Sequence, residues 1–501
     1  MSGKFYIFIS MKKFLSFLMC FVFVFFACSC KPNSDLDELS SGLTNYEISI
    51  DFNLESKQAT VKQKVDYINS TDTILRQVKF HLYPQFFEEG ATNMVVPSQK
   101  MNLAYPNGMS YANFEINRLS VAGKETQIVY ENEFDSILVV NLENSLLPDD
   151  RVDICMEYVV ALPNCAHRFG YSDNTINLNN FYPIACVYEN GDFNTSGYNP
   201  NGDPFYSDIA NYSVDISCDK QLVVANTGSK ISCVDEVNIK TTHMTAKCVR
   251  DFALVLSKDF EILSQKVGYT TIEYYCYNDE YADKSLQAGV DAINTFNKLF
   301  GSYPYENYSI VKCDFVYGGM EFPNLVMISD NIDNLDDYMN VIIHETAHQW
   351  WYGLIGNNQY QNPWLDEAIT EFSTILFYDN NDGYNLNHAD MVNISHDNYS
   401  LFMSVYQDVL GSIDTSMRAV DEYDTEPEYT YCTYVKGVLM YESLYQLIGE
   451  KKFIAGLKDY FNSNKFQNVT PDKLINSFEK TSKSDLSAFF DSWINGKVVI
   501  R

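Results

Sequence analysis

The sequence lacks several features that mark common classes of protein. It has no CxxC pair, no internal repeat and no low-complexity block, and only 7 of its 501 residues are histidine. Basic residues are also few, since 35 lysines and arginines stand against 66 aspartates and glutamates, for a net charge of −31. A surface this acidic repels phosphate backbones, so we expect no nucleic-acid partner.

Cysteine is present, but not in a pattern that builds a site. Beyond residue 30 there are nine cysteines, an odd number, with no repeated spacing between them. This argues against a disulfide framework and against a zinc site made of cysteines. We expect most of these residues to be buried free thiols, although the six between positions 155 and 248 leave room for one or two bridges.

The N-terminus lacks an apolar run long enough for a typical membrane span. Lys12 and Lys13 precede an apolar run from Phe14 to Ala27, the pattern of a signal peptide, which we predict over residues 1–30. The run ends in Phe-Phe-Ala-Cys-Ser-Cys, which resembles a bacterial lipobox with Cys28, or next Cys30, as the lipidated residue. We therefore expect an exported protein of the bacterial cell envelope, anchored to the membrane by a lipid. Secretion or a periplasmic location without a lipid is the alternative.

The composition predicts an α+β protein with more than one domain. Hydrophobic residues make up 46% of the chain and aromatic residues 15%, enough to fill large cores. After a linker at residues 31–43, short alternating segments such as the one that starts at Tyr46 predict an antiparallel β-rich domain over residues 44–260. Residues 261–501 have mainly helical spacing, including a helix from Asp336 to Ile355.

The second half contains a pattern typical of a metal site. In His344-Glu-Thr-Ala-His348, the two histidines lie four residues apart on one face of the predicted helix, where both imidazoles can reach one ion. Glu345 projects from nearly the same face and can take a proton from a water molecule there. Two ordinary helix histidines are the simpler reading, which the intervening glutamate makes improbable.

A catalytic zinc site needs a third protein ligand, and the next predicted helix offers candidates. It begins after Pro363 and contains Glu367, which follows His348 after 18 intervening residues. Glu371, one turn further on, is a rival ligand, and Asp366 is a weaker one. The spacing alone leaves the choice open.

Three motifs in order make the chain resemble the aminopeptidase N family of zinc metallopeptidases. The first is Gly318-Gly-Met-Glu-Phe322, similar to the family's Gly-x-Met-Glu-Asn motif. The second is the stretch from His344 to Gly353, followed by Trp-Leu-Asp-Glu367 at the family's spacing. The third is Tyr434-Val-Lys-Gly437, which resembles the segment that carries the catalytic tyrosine.

The resemblance implies a thermolysin-like catalytic domain over residues 261–501 that binds one zinc ion (Zn2+) and hydrolyses peptides with a free N-terminus. It implies the following roles: His344, His348 and Glu367 bind zinc, Glu345 is the general base, Tyr434 stabilises the oxyanion, and Gly318, Gly319, Met320 and Glu321 bind the substrate, with Glu321 on its α-ammonium group. It also implies a second side chain for this amine from the β domain, which we expect within Arg168 to Tyr182 but cannot place.

Departures from the family pattern keep other readings open. Phe322 replaces the usual asparagine, and the chain resembles a short form without the C-terminal helical domain of larger members. Tyr317 either lines the pocket for the first substrate side chain or is a buried structural residue. A zinc endopeptidase with the same metal site is the main alternative function, and a non-catalytic surface lipoprotein is the next.

Overall fold

The computed structural model describes residues 34–91, 95–411, 413–498 and 500. The predicted signal peptide, with Cys28 and Cys30, lies outside these residues. Within the described ranges, none of the helices combines the length and apolar character needed to cross a bilayer. The segment predicted as a linker contains helix α1 (Ser34–Ser40), whose Leu36 is buried in the core.

The first half of the described chain is built mainly from β-strands. Its elements are β1 (Asn45–Asn53), β2 (Gln58–Ile68), β3 (Leu75–His81), a 3-10 turn (Tyr83–Phe87), a 3-10 turn (Ser98–Lys100), α2 (Met101–Ala104), β4 (Asn113–Val121), β5 (Lys124–Glu125), β6 (Val129–Glu131), a 3-10 turn (Glu133–Asp135), β7 (Ile137–Leu146), β8 (Arg151–Ala161), β9 (Phe169–Tyr171), β10 (Ile176–Leu178), β11 (Ile184–Ala185), β12 (Tyr188–Glu189), β13 (Asp192–Phe193), β14 (Ala210–Asp219), β15 (Val223–Asn226), β16 (Ser229–Asp235), β17 (Ile239–Val249) and β18 (Leu254–Ser257).

These strands form one large sheet and several small ones. The large sheet has the order β16-β17-β14-β1-β2-β8-β4-β5, and its pairs are antiparallel except for β1 with β14. Two four-stranded sheets, β15-β18-β10-β9 and β11-β3-β7-β6, and the β12-β13 pair complete this half. In β1 every second residue is buried, including Tyr46, Ile48, Ile50 and Phe52, as the alternation in the sequence predicts.

The second half is mainly helical, with a five-stranded sheet at its start. Its elements are β19 (Glu261–Val267), β20 (Thr270–Cys276), α3 (Ala282–Leu299), β21 (Asn307–Cys313), β22 (Gly319–Met320), β23 (Leu325–Ser329), α4 (Leu335–Ala347), a π-helical turn (Gln349–Leu354), β24 (Ile355–Asn357), α5 (Trp364–Tyr378), α6 (His388–Leu410), a 3-10 turn (Val420–Glu422), α7 (Glu426–Thr430), a π-helical turn (Tyr431–Val435), α8 (Lys436–Ile448), α9 (Glu450–Asn464), β25 (Gln467–Val469), α10 (Pro471–Ser482) and α11 (Ser487–Ile494).

The five-stranded sheet places the motif that contains Gly319 and Met320 beside the helix that carries His344. Its order is β19-β20-β21-β23-β22, so β22, which carries Gly319 and Met320, is an edge strand, paired antiparallel with β23. Helix α4 packs against β22 and β23. The predicted helix from Asp336 to Ile355 is too long, because the α-helix ends at Ala347 and a π-helical turn follows.

The two halves share one continuous hydrophobic core among the described residues. Arg250, which follows β17, is buried at their junction, where its guanidinium donates to the carbonyl oxygens of Ser207, Tyr352 and Gln467. These bonds tie the β-rich half to the turn after α4 and to β25. Buried contacts therefore hold the two halves together.

Candidate active site

Three side chains from α4 and α5 converge at one point. Nε2 of His348 lies 3.1 Å from Nε2 of His344 and 3.1 Å from Oε2 of Glu367, and Nε2 of His344 lies 3.5 Å from the same oxygen. Two ligands bound tetrahedrally at zinc distances of about 2.0–2.1 Å are about 3.4 Å apart. The three donor atoms therefore have the separations expected of zinc ligands.

The hydrogen bonds of the two imidazoles leave their Nε2 lone pairs facing this point. Nδ1 of His348 is 3.1 Å from the carbonyl oxygen of Trp351 and 3.2 Å from the hydroxyl of Thr370. Because a carbonyl only accepts, Nδ1 carries the proton and Nε2 keeps its lone pair. Nδ1 of His344 likewise faces Oε1 of Glu371 at 3.4 Å. Two lone pairs and a carboxylate oxygen repel one another unless a cation lies between them, so this donor set fits zinc.

The local chain path explains how these groups meet. At Trp351 the backbone leaves the helical conformation (φ −106°, ψ 61°), and the carbonyl of this residue lies within hydrogen-bond distance of His348. Pro363 occupies the N-cap position of α5 and places Glu367 in the first turn. The positive end of a helix stabilises a carboxylate there.

The charges of the site stabilise a cation among these donors. Burial alone would raise the pKa of Glu367, but His348 and His344 lower it well below its usual range, so it is ionised. Burial alone would lower the pKa of His348, but the neighbouring carboxylates of Glu367 and Glu321 raise it far above its usual value. A proton or a metal ion is therefore strongly favoured at this point.

The two rival ligands have other partners. Glu371 contacts the Nδ1 side of His344, away from the converging Nε2 atoms. The carboxylate of Asp366 accepts hydrogen bonds from the side-chain amides of Asn357 (3.3 Å) and Gln359 (2.8 Å). Of the three candidate carboxylates, that of Glu367 is the one that completes the cluster with both histidines.

Glu345 is buried next to this cluster, and Gly319 makes room for it. A Cβ atom at position 319 would lie 2.3 Å from Oε1 and 2.6 Å from Cγ of Glu345, so a larger residue there would require the Glu345 side chain to shift. Burial raises the pKa of Glu345 well above its usual value, while His348 opposes the shift. Among the described residues, Oε2 of this carboxylate has no hydrogen-bond partner. It is free to accept a proton from a water molecule.

Glu321 follows β22 and lies close to the metal cluster, since its carboxylate, that of Glu345 and a ring nitrogen of His348 all lie within 4.8 Å of one another. Its Oε1 accepts a hydrogen bond of 2.7 Å from the side-chain amide of Gln359. Burial, and next the negative charge of Asp203, raise the pKa of Glu321 to about 8. A buried carboxylate whose negative charge is destabilised by a neighbouring carboxylate forms a site that a cationic group would stabilise.

Asp203 is a site residue that the sequence analysis missed. It lines the same cavity, and its Oδ1 accepts a hydrogen bond of 2.7 Å from Nη1 of the buried Arg168. Arg168 lies within the segment where a β-domain group for the substrate amine is expected, and its guanidinium pairs with Asp203 of a separate loop. Only the turn-rich sequence Asn199-Pro-Asn-Gly-Asp-Pro204 marks this loop, and turn residues carry no functional signal of their own.

Tyr434 lies on the wall of the cavity, in the π-helical turn before α8. Its ring stacks beside that of His344, with 6.4 Å between centroids. Burial, and next the negative charge of Glu367, raise the pKa of Tyr434 far above its usual value, so the phenol keeps its proton. A protonated phenol can donate a hydrogen bond to an oxygen that becomes negative.

The residues after Tyr434 fix its position. Lys436 is buried, and its ammonium donates to the carbonyl oxygens of Thr415 (2.5 Å) and Trp493 (2.7 Å). A Cβ atom at Gly437 would lie 2.3 Å from Cβ of Ala368, so glycine allows α8 to pack closely against α5. These two motif residues therefore act through packing.

All these groups surround one cavity of about 270 Å³. The lining includes every residue assigned a role from the sequence except Met320, which is buried behind it and pairs with Met327. Gly318 faces open space, since the nearest atom to an added Cβ is Cγ2 of Val341 at 3.8 Å. Tyr317 also lines the cavity, and its hydroxyl donates to the carbonyl of Pro200 at 3.0 Å. The cavity is a partly open cleft that can receive a small ligand.

Known proteins are similar to this chain over part of its sequence. Residues 284–493 match the family model described as the peptidase family M1 domain. Aminopeptidase N of Lactococcus lactis subsp. cremoris (strain MG1363) is 25% identical over 280 residues, which cover 52% of this chain and 32% of the relative. Aminopeptidase B of Homo sapiens is 27% identical over 222 residues, which cover 40% of this chain and 33% of the relative. The match thus spans about a third of the length of these relatives.

Solved structures have the same fold over most of the chain. The M1 zinc metallopeptidase from Deinococcus radiodurans superposes with a TM-score of 0.64 and covers 91% of this chain and 94% of its own, at 14% identity. A mutant of that protein, solved with a bound Tyr-Ser-Ala substrate, gives a TM-score of 0.62. At this identity the likeness concerns the fold: an N-terminal β-rich part followed by a mainly helical part, as the sequence predicts.

Proposed function

We propose that the protein is a zinc-dependent aminopeptidase, on the premise that residues 284–493 match the peptidase family M1 domain. In this proposal it removes N-terminal residues from peptides. The observation that carries it is the single cavity in which Glu321 and Asp203 lie beside the His344, His348 and Glu367 cluster. Peptide hydrolysis at a free N-terminus needs a metal for the scissile carbonyl and an anionic site for the amine.

Whether the protein is an exopeptidase or an endopeptidase depends on the part of the cavity that would bind the α-ammonium group of the substrate. Glu321 is buried and Asp203 is largely shielded, and the α-ammonium group of a peptide would supply a positive charge between the two carboxylates. An acetylated N-terminus has no charge and would leave the Glu321 carboxylate without a cationic partner in a buried site. The mutant of the Deinococcus radiodurans protein, which holds a Tyr-Ser-Ala substrate on the same fold, supports a short peptide as the substrate class.

The zinc ion would be held by His344, His348 and Glu367. When bound there, it supplies Lewis-acid chemistry to the scissile carbonyl and to the attacking water. The hydrogen bond from Nδ1 of His348 to the Trp351 carbonyl keeps the ring oriented for this task.

The side chains of this protein would transfer the protons and position the substrate. Glu345 takes a proton from the water through its unpartnered oxygen and later gives it to the leaving nitrogen. Tyr434 donates its O–H to the carbonyl oxygen as negative charge develops there. Glu321 and Asp203 hold the amine, which fixes the peptide so that its first carbonyl lies at the cluster.

Two matched reporters test this function. We expect the purified protein to release the fluorophore from a leucyl reporter and not from its N-acetylated twin, and to lose this activity to a zinc chelator. Equal cleavage of both reporters would make the protein an endopeptidase. A zinc-loaded protein that cleaves neither reporter nor any unblocked peptide would be a non-catalytic surface protein.

We also propose that the chain is exported and lipidated at Cys28 or Cys30, which rests on the sequence pattern alone. Metabolic labelling with a palmitate analogue in a bacterial host tests it. The Cys28→Ala variant should lose the label if Cys28 is the acceptor, and Cys30→Ala should lose it if Cys30 is. A label that survives in the double variant, or that never appears, would contradict the lipid anchor.

A further inference from the structure

An ion pair connects the two halves of the chain across the cavity. Nζ of Lys100 is 2.7 Å from Oε1 of Glu426, and both side chains line the cavity. Lys100 ends a 3-10 turn of the β-rich half, whereas Glu426 begins α7 in the helical half. The two side chains are only 28% and 22% exposed, so the pair is better shielded from water than a surface pair.

The pair lies next to an aromatic wall. Nζ of Lys100 is 4.4 Å from the centroid of the Tyr317 ring, a cation–π contact. Tyr317 is held in place by its bond to the Pro200 carbonyl and by the edge of His167, whose ring centroid is 5.6 Å away. On the other side, Tyr429 packs against Tyr434 at 5.7 Å. The wall is therefore rigid.

The first side chain of a bound peptide needs a place apart from the groups that hold its backbone. Its amine would face Glu321 and Asp203, and its carbonyl would face the metal cluster. The remaining lining residues include Tyr317, Tyr429, Lys100 and Glu426, together with smaller side chains. Because Nζ of Lys100 lies 4.4 Å from the centroid of the Tyr317 ring, a side chain that packs on this ring would approach the ion pair.

We propose that the Lys100–Glu426 pair closes the pocket for the first substrate side chain and selects uncharged N-terminal residues. This inference rests on the proposed aminopeptidase function and deepens it. A lysyl or arginyl side chain must displace Lys100 to reach Glu426, and a glutamyl side chain must displace Glu426 to reach Lys100. An apolar or aromatic side chain packs on the rings and leaves the pair intact.

The proposal predicts that removing the positive charge favours basic substrates, whereas removing the negative charge favours acidic substrates. Lys100→Met leaves a partly buried carboxylate without its partner, so the ratio of kcat/KM for lysyl over leucyl reporters should rise about tenfold. Glu426→Gln leaves the ammonium group without its partner, so the glutamyl-over-leucyl ratio should rise by a similar factor. The double variant should show neither increase, because no unpaired charge remains.

A matched control separates this effect from a general loss of charge. Lys124 forms an ion pair with Glu143 on the exposed face of the β-rich half, with side chains 71% and 68% exposed, and neither residue lines the cavity. Lys124→Met should keep the preference of the parent protein. Melting temperatures of all variants report whether each is folded.

Binding gives a second readout that does not need turnover. In zinc-loaded protein that carries Glu345→Gln, calorimetry should show that free L-leucine binds more tightly than L-lysine, and that adding Lys100→Met reverses this order. Unchanged ratios and affinities in both single variants, or shifts in the same direction, would overturn the proposal. If no protein cleaves any reporter although binding follows the expected order, the aminopeptidase function fails and the pocket assignment stands.

Discussion

Glu345 combines three properties that a general base requires. It lies beside the metal cluster, it is buried, and one of its oxygens has no partner among the described residues. Burial raises its pKa, so its affinity for a proton is higher than that of a surface glutamate. Its position depends on Gly319, which approaches it so closely that a Cβ atom there would require the Glu345 side chain to shift.

The first prediction concerns the proton transfer itself. Glu345→Gln keeps the shape of the side chain but cannot accept a proton, so kcat on the leucyl reporter should fall by about 100-fold to 10,000-fold. Zinc content should stay near one ion per chain, because the three donor atoms come from other residues. Elemental analysis and reporter kinetics measure both. Near-normal turnover in the zinc-loaded variant would contradict the mechanism.

The second prediction concerns the glycine that makes room for the base. Gly319→Ala places a Cβ where it would lie 2.3 Å from Oε1 of Glu345, so the carboxylate must move. A misplaced base should lower kcat by about 100-fold with zinc retained. Gly318→Ala is the comparison, because its Cβ meets only Val341 at 3.8 Å and should cost much less. Equal losses in the two variants would show that backbone flexibility, and not the contact with Glu345, matters.

For single residues, the sequence predicts the site role of side chains that share a motif and misses the role of side chains outside the motifs. His344, Glu345 and His348 are predicted by their spacing on one helix, whereas the choice of Glu367 depends on the family resemblance. Asp203 lies more than 100 residues before Glu321 in the sequence, and the two meet only in the folded cavity. Their proximity follows from how the β-rich half packs on the helical half, which no local pattern encodes.

The elements around the site depart from regular geometry where they carry function. Helix α4 ends at Ala347, and the π-helical turn that follows brings the Trp351 carbonyl to His348. A second π-helical turn carries Tyr434. The sequence predicts a longer regular helix at the first position, because Trp350, Trp351 and Leu354 continue the apolar pattern. They are buried by tertiary packing and not by helical periodicity.

The third prediction concerns a histidine that joins two helices outside the site. Nδ1 of His388 is 2.7 Å from Asp379, which follows α5, and Nε2 is 2.7 Å from Glu442 of α8. These bonds raise the pKa of His388 from 6.5 to about 9. A group whose pKa is raised by folding stabilises the protein fully below its unfolded value and loses this contribution as the pH rises through the folded value.

The contribution of protonated His388 to the free energy of unfolding should therefore be lost as the pH rises from about 6.5 to about 9. Because His388 and its two carboxylate partners are only partly shielded from water, we expect this contribution to be about 1–2 kcal/mol at pH 6. Comparing urea unfolding of the parent protein and His388→Gln at pH 6 and pH 9.5 isolates it. The parent should be more stable at pH 6, and the difference should shrink at pH 9.5. A gap that is the same at both pH values would show that the protonated histidine is not the cause.

At the scale of the whole molecule, the cavity depends on both halves staying docked. Asp203, Lys100 and Arg168 come from the β-rich half, while the metal donors, Glu345 and Tyr434 come from the helical half. The sequence predicts the two structural classes in the right order. It does not predict the large contact between them, because the residues that make it are spread over the whole chain.

The last prediction tests this contact through Arg250. Its guanidinium donates to the carbonyls of Ser207, Tyr352 and Gln467 and to the side-chain oxygen of Asn468, so one buried cation serves segments of both halves. Arg250→Met fills similar volume but removes these four hydrogen bonds, of which those to Tyr352 and Ser207 are buried. We expect a loss of about 3 kcal/mol in unfolding free energy, seen as a lower melting temperature.

The same variant should also lose the proposed aminopeptidase activity, because Tyr352 follows directly after Trp351, whose carbonyl orients His348. The matched control is Arg118→Met, since this arginine is 58% exposed and pairs with Glu125 on the surface. Its unfolding free energy should change by no more than about 0.5 kcal/mol. If Arg250→Met and Arg118→Met are equally stable and active, the two halves are held by their shared apolar core, and the buried guanidinium adds nothing measurable.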